Sequence, residues 1–152
     1  MINVLFVCLG NICRSPMAEG LMKKFINDEG LSGVIHVESR GTSTYEIGNP
    51  PHPETLRILK REHAMLVGKR AEQIKSLDFL HFDYIIGMDH HNVRTLINKA
   101  GVHRHKVYLL RDIDPLTQGE EVPDPYYSVR YEETYQLLSS SLKLWLEHLK
   151  KT

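Results

Sequence analysis

The stretch from residue 4 to residue 20, Val-Leu-Phe-Val-Cys-Leu-Gly-Asn-Ile-Cys-Arg-Ser-Pro-Met-Ala-Glu-Gly, constrains this chain more than any other. Its apolar start, with Ile2 to Val7, fits a short strand covered on both faces. Beyond the loop, Met17, Ala18, Leu21, Met22, Phe25 and Ile26 recur at helical spacing until Gly30 stops them. A strand that passes directly into a helix makes the loop amides and the helix N-terminus converge, here on Cys8. Pro16 is expected at the first helical position, where its missing N–H costs nothing. Such a point attracts an anion and favours a thiolate.

Five residues separate Cys8 from Arg14, and Ser15 follows at once. A free thiol has a pKa of about 8.5 and reacts slowly near neutrality unless its thiolate is stabilised. Converging amides, a helix N-terminus and Arg14 supply that stabilisation, so Cys8 reads as a nucleophile for phosphate chemistry.

Downstream, Val34 to Ser39 reads as a second strand, followed by a Gly/Ser/Thr/Pro-rich loop from Gly41 to Pro53. Leu56, Leu59 and Lys60 to His63 suggest a helix, Tyr84 to Met88 a third strand, His90 to Ala100 another helix, and Lys106 to Leu110 a fourth strand. The segment Asp112 to Tyr127 is turn-rich, and Tyr131, Tyr135, Leu138, Leu142, Trp145 and Leu149 mark one face of a closing helix. Alternating strands and helices predict an α/β three-layer sandwich. Its central four-stranded parallel sheet is expected to carry helices on both faces and a phosphate-binding loop after the first strand. Ligands of such sheets sit at the carboxyl ends of the strands, where Cys8 lies.

With 152 residues and 41% hydrophobic composition, residues 1–152 are expected to form a single domain. Nineteen Lys and Arg balance nineteen Asp and Glu, which argues against a nucleic-acid stripe. No apolar run reaches the roughly 18 residues of a spanning helix, and no charged leader precedes a cleavage site, so a cytoplasmic protein without membrane attachment is expected. Two cysteines in one loop do not make a disulfide framework. His90 and His91 would point apart on a helix, and His103 and His105 lack a third ligand, so no metal or other cofactor is expected. Lys60-Arg61 and Lys69-Arg70 read as solvated faces.

Cys8, Arg14 and Ser15, set beside Asp124-Pro125-Tyr126-Tyr127, make the chain resemble the low-molecular-weight protein tyrosine phosphatases over nearly its whole length. The resemblance implies that Cys8 attacks phosphorus through a phosphocysteine intermediate, that Arg14 grips two equatorial oxygens with its planar fork, and that Asp124 is general acid and then base. A bell-shaped pH profile follows, and for the sheet the resemblance implies the strand order 2-1-3-4. Amides from Leu9 to Arg14 should hold the same oxygens, with Gly10 allowing close approach, Asn11 fixing an unusual loop conformation and Ser15 hydrogen-bonding the sulfur. Ile12, Tyr45, Tyr126 and Tyr127 are the implied substrate walls, Ser43 the implied loop brace, and Cys13 both a loop member and the implied redox partner of Cys8. Members acting on phosphoarginine carry a small polar residue where this chain has Ile12, which favours phosphotyrosine. The chain departs from mammalian members at Lys69, where they carry a histidine supporting the loop asparagine.

The expected partners are phosphotyrosine-containing proteins and phosphate or other oxyanions, with a monomer expected and a weak dimer left open. Three other readings share the loop: an arsenate reductase, disfavoured because Cys13 is the last cysteine; a protein arginine phosphatase; and a non-catalytic phosphate-binding module or phosphocarrier. A binder needs no acid, so Asp124 discriminates. Asp114-Pro115 reads as ordinary turn chemistry.

Overall fold

The computed structural model describes residues 1–152. Strand β1 (Ile2–Cys8) lies in the middle of a parallel sheet, with β2 (Ile35–Gly41) on one side and β3 (Tyr84–Gly87) on the other. Strand β4 (Val107–Leu109) pairs with β3, giving the expected order β2-β1-β3-β4. The chain leaves β1 toward β2 and later returns to its opposite side. The carboxyl end of β1 is therefore the topological switch point, where α/β sheets hold their ligands.

Because successive strand residues face opposite ways, β1 feeds two cores. Val4 and Phe6 join the larger one with helices α1 (Arg14–Asp28) and α6 (Tyr131–Lys150). Leu5 and Val7 join a smaller one with Phe79, Phe82, Ile85 and Leu96. All four β1 side chains are fully buried. At about 1.5–3 kcal/mol per buried side chain, a slip in register that exposed them is strongly disfavoured. On α6, Leu138, Leu142, Trp145 and Leu149 are buried at helical spacing. Trp145 is tied down by its indole N–H, which donates to the Leu110 carbonyl at 2.8 Å.

Helix α2 (Pro53–Arg61) starts at Pro53, with His52 Nδ1 accepting from the Glu54 amide at 3.1 Å. Helix α4 (His90–Ala100) is capped reciprocally: Asp89 Oδ1 accepts from the Asn92 amide at 2.7 Å, and Asn92 Oδ1 from the Asp89 amide at 3.3 Å. Two short α-helices lie where no helix was expected. These are α3 (Ser76–His81), begun by the Asp78 carboxylate accepting from the Lys75 amide at 3.0 Å, and α5 (Pro125–Ser128) inside the turn-rich segment. The α1 helix begins at Arg14, so Pro16 is its third residue rather than its first. Its absent N–H still falls among the first-turn donors that no helix satisfies.

Candidate active site

Two backbone arrangements turn the segment after β1 into an anion cradle. Asn11 adopts the left-handed conformation (φ 59°), which an asparagine tolerates better than most residues. The loop carbonyls are drawn outward: Cys8 O accepts from the Thr42 amide (2.9 Å), Leu9 O from the Ser43 amide (2.9 Å) and Ile12 O from the His52 amide (2.8 Å). No amide of residues 9–13 donates a hydrogen bond within the protein. A run of unspent amides in one loop is the material of an anion-binding nest.

The loop lines a cleft of about 190 Å³, bounded by Cys8, Leu9, Gly10, Ile12, Cys13 and Arg14 below and by Ser43, Tyr45, Glu46, Asp124, Tyr126 and Tyr127 at its rim. Tyr45 is 85% exposed and Ile12 only 9%, so the former is an outer wall and the latter an inner one. Asn11 and Ser15, expected among the phosphate-binding residues, do not line the cleft: they are fully buried behind the loop. There Asn11 Nδ2 donates to Ser15 Oγ at 2.8 Å, and Ser15 Oγ lies 3.0 Å from Cys8 Sγ.

Arg14 is buried and held in place by Nη1, which donates to Asp89 Oδ2 at 2.7 Å and to the Val122 carbonyl at 2.9 Å. Burial opposes its charge, but Cys8 and Asp89 outweigh that cost and hold the guanidinium above its ordinary value. Its Nε has no hydrogen-bond partner, and Nη2 lies 3.4 Å from Asp124 Oδ2. One edge of the fork is anchored, and the Nε edge is left for an oxyanion. Asp124 caps α5, with Oδ1 accepting from the Tyr126 amide at 3.0 Å, which leaves Oδ2 facing Arg14.

Cys13 Sγ lies 3.6 Å from Tyr131 Oη, and both cysteines are free. Burial pushes the Cys13 thiol up to about 12, and burial likewise raises the Tyr131 phenol. The brace assigned to Ser43 falls instead to Ser39. The Ser43 hydroxyl is buried without a partner, and its support of the loop is through its amide alone. Ser39 Oγ accepts from Asn11 Nδ2 at 2.9 Å. No three His, Cys, Asp or Glu side chains gather to hold a metal ion.

Sequence reasoning missed Asp89, Ser39, Glu19 and Glu46. Asp89 had a readable signal, an aspartate three residues before Asn92 at a helix start. Glu19 stood out as a carboxylate amid the apolar residues of α1. Ser39 and Glu46 carried none, since each reaches the site through the path of the chain rather than a local pattern.

A family model described as low molecular weight phosphotyrosine protein phosphatase matches residues 3–152. The low molecular weight protein-tyrosine-phosphatase YfkJ of Bacillus subtilis is 42% identical over 99% of this chain and 97% of its own length, and its crystal structure superposes with a TM-score of 0.95 over 99% and 96%. The low molecular weight protein tyrosine phosphatase SP-PTP of Streptococcus pyogenes matches at 45% identity and a TM-score of 0.86, covering 98% of this chain and 93% of its own. A variant of the arginine phosphatase YwlE, a Bacillus subtilis protein, with a phosphorylated active-site serine matches at 27% identity and a TM-score of 0.87, covering 99% and 97%.

Proposed function

The chain belongs to the low-molecular-weight protein tyrosine phosphatase family, and from that premise we propose that it hydrolyses phosphotyrosine in proteins through a phosphocysteine formed on Cys8. The observation that carries this reading is the set of unspent donors in the loop that lines the cleft with Cys8: the amides of residues 9–13 and the Nε of Arg14.

In the first step the Cys8 thiolate attacks phosphorus in line, an S–P bond forms, and the bond to the tyrosyl oxygen breaks. Asp124, whose free oxygen faces the cleft beside Arg14, donates the proton that the departing phenolate needs. The amides and Arg14 bind the equatorial oxygens, and their grip tightens as charge spreads over the transferring group. In the second step Asp124 takes a proton from water, the water oxygen attacks phosphorus, and the S–P bond breaks. Ser15, 3.0 Å from the sulfur, supports the thiolate as it leaves.

Ile12 as inner wall, with Tyr45, Tyr126 and Tyr127 above it, offers apolar and aromatic faces to a phenyl ring. That favours phosphotyrosine over phosphoserine, which reaches less deeply, and over phosphoarginine, which carries no ring. On this reading residues 1–152 act as one monomeric phosphatase domain, and the chemistry runs on its own side chains and amides. Both thiols are free, as suits the reducing cytoplasm, and no helix is long and apolar enough to cross a membrane.

The test is phosphate release from phosphotyrosine, phosphoserine and phosphoarginine substrates, without metal and with reductant. Tyrosine-selective release that Cys8→Ala abolishes is expected. Preference for phosphoarginine would replace the substrate assignment, and no release from any substrate would leave a binding module.

A further inference from the structure

On the side of the loop away from the cleft, one ion pair and then a run of hydrogen bonds link the ammonium of Lys69 to the sulfur of Cys8. Lys69 Nζ donates to the Ser39 carbonyl at 2.9 Å and lies 3.6 Å from Glu19 Oε1. The Ser39 hydroxyl donates to that same Glu19 oxygen at 2.6 Å. Asn11 Nδ2 then donates to Ser39 Oγ and to Ser15 Oγ, at 2.9 and 2.8 Å. Ser15 Oγ completes the path, 3.0 Å from Cys8 Sγ.

Proton counting gives this chain a direction. An ionised carboxylate only accepts, so Ser39 spends its one hydroxyl hydrogen on Glu19 and its oxygen is left to accept from Asn11. The Asn11 amide cannot be turned over, because its Oδ1 takes the Glu72 backbone N–H at 3.0 Å. Its second N–H therefore goes to Ser15, whose single hydrogen is left for two acceptors, the Cys8 sulfur as a thiolate at 3.0 Å and the Arg40 carbonyl at 3.3 Å.

We infer that Glu19 and Lys69 are positioning residues for the reaction at Cys8, holding this network in the proton order that gives the sulfur a hydroxyl hydrogen. The inference rests on the reading of Cys8 as the nucleophile. The side chains of Glu19 and Lys69 are 5% and 10% exposed. A pair so deeply buried adds little to stability, since desolvation offsets its attraction and an apolar pair of the same volume would fold as well. Burial pulls the Lys69 ammonium below its ordinary value against the attraction of Glu19 and Glu72, with Arg40 repelling it. Lys23, on the same helix as Glu19, holds the other carboxylate oxygen at 2.7 Å. With Lys69 beside one oxygen and Lys23 on the other, the Glu19 carboxylate is held where the Ser39 hydroxyl donates to it.

The test is Lys69→Met, which keeps the aliphatic stem and removes the charge, made in the native protein and in Ser15→Ala. In the native background kcat toward an aryl phosphate falls by roughly tenfold, the scale of one lost buried hydrogen bond, with KM little changed. The pH profile of Cys8 alkylation by iodoacetate moves upward. In Ser15→Ala, Lys69→Met changes neither quantity further. An unchanged alkylation profile, or an equal loss of kcat in both backgrounds, overturns the inference. If Lys69→Met does not fold by circular dichroism, Glu19→Gln is scored by the same criteria. Phosphate release persisting in Cys8→Ala would instead overturn the nucleophile assignment, so the two failures are distinguishable.

Discussion

Arg14 Nη1 donates to Asp89 Oδ2 at 2.7 Å, so one aspartate both caps a helix and holds the guanidinium at the end of the phosphate loop. The two oxygens divide the work, because Oδ1 accepts from the Asn92 amide at 2.7 Å. Asparagine caps helices as well as aspartate but cannot hold a cation as a carboxylate does. Asp89→Asn should therefore leave the melting temperature near native while kcat/KM falls about 10–100-fold, the worth of one hydrogen bond to a charged group. Asp89→Ala should lose stability as well, by about 1 kcal/mol. Steady-state kinetics beside thermal melts check both.

Asp124→Asn keeps the cap on α5 and removes the proton donor. Turnover of a phenyl phosphate should fall by about 10²–10⁴. With a nitrophenyl leaving group, which departs without protonation, the loss in the first step should shrink. Equal losses for both substrates would remove Asp124 from the role of acid.

Cys13 supplies a pH prediction. Its thiol rises from 9.0 to about 12, chiefly through burial, so the unfolded chain releases this proton first as pH rises. Above the unfolded value the unfolded state binds fewer protons, and stability falls between 9 and about 12. Melting temperatures across this window should fall more steeply for the native protein than for Cys13→Ala. Near neutral pH Cys13 stays a thiol, and iodoacetamide followed by peptide mass mapping should find Cys8 labelled and Cys13 bare.

A methyl group on Gly41, at the end of β2, would stand 2.9 Å from the Leu9 carbonyl, 3.1 Å from the Gly10 carbonyl carbon and 3.2 Å from Asn11 Cβ. Those contacts are with the phosphate loop itself. Gly41→Ala should displace the loop and lower kcat/KM by about 10²-fold, the cost of a misplacement near 1 Å. At Gly33 the added methyl meets nothing within 4 Å, so Gly33→Ala serves as a control within about 0.5 kcal/mol of native stability.

The loop from Cys8 to Ser15 and the closing helix are legible in the sequence because their signals are local: a strand, a spacing, an apolar stripe. The sheet order follows from alternating elements together with the family resemblance. What supports the loop is not legible in this way. Ser39, 28 residues from Asn11, reaches it only because β2 lies beside β1, and Asp89 meets Arg14 only because β3 lies on the other side. Ser43 was the brace that the family resemblance implied, yet its hydroxyl bonds to nothing, and Lys69, read as a solvated face, is nearly buried. The short helix α3 escaped notice because six residues carry too little periodicity to stand out.

The central claim is the covalent step at Cys8, and rapid-quench trapping tests it most directly. A nitrophenyl phosphate in excess over the enzyme is mixed with it, the reaction is stopped in alkaline denaturant, in which an S–P bond survives, and the peptides are mapped by mass. The account predicts a burst of nitrophenol matching the enzyme concentration and one phosphoryl group on the peptide carrying Cys8, both absent in Cys8→Ala. Phosphate release in step with nitrophenol from the first turnover, with no phosphoryl group on that peptide or with one on another residue, would contradict it.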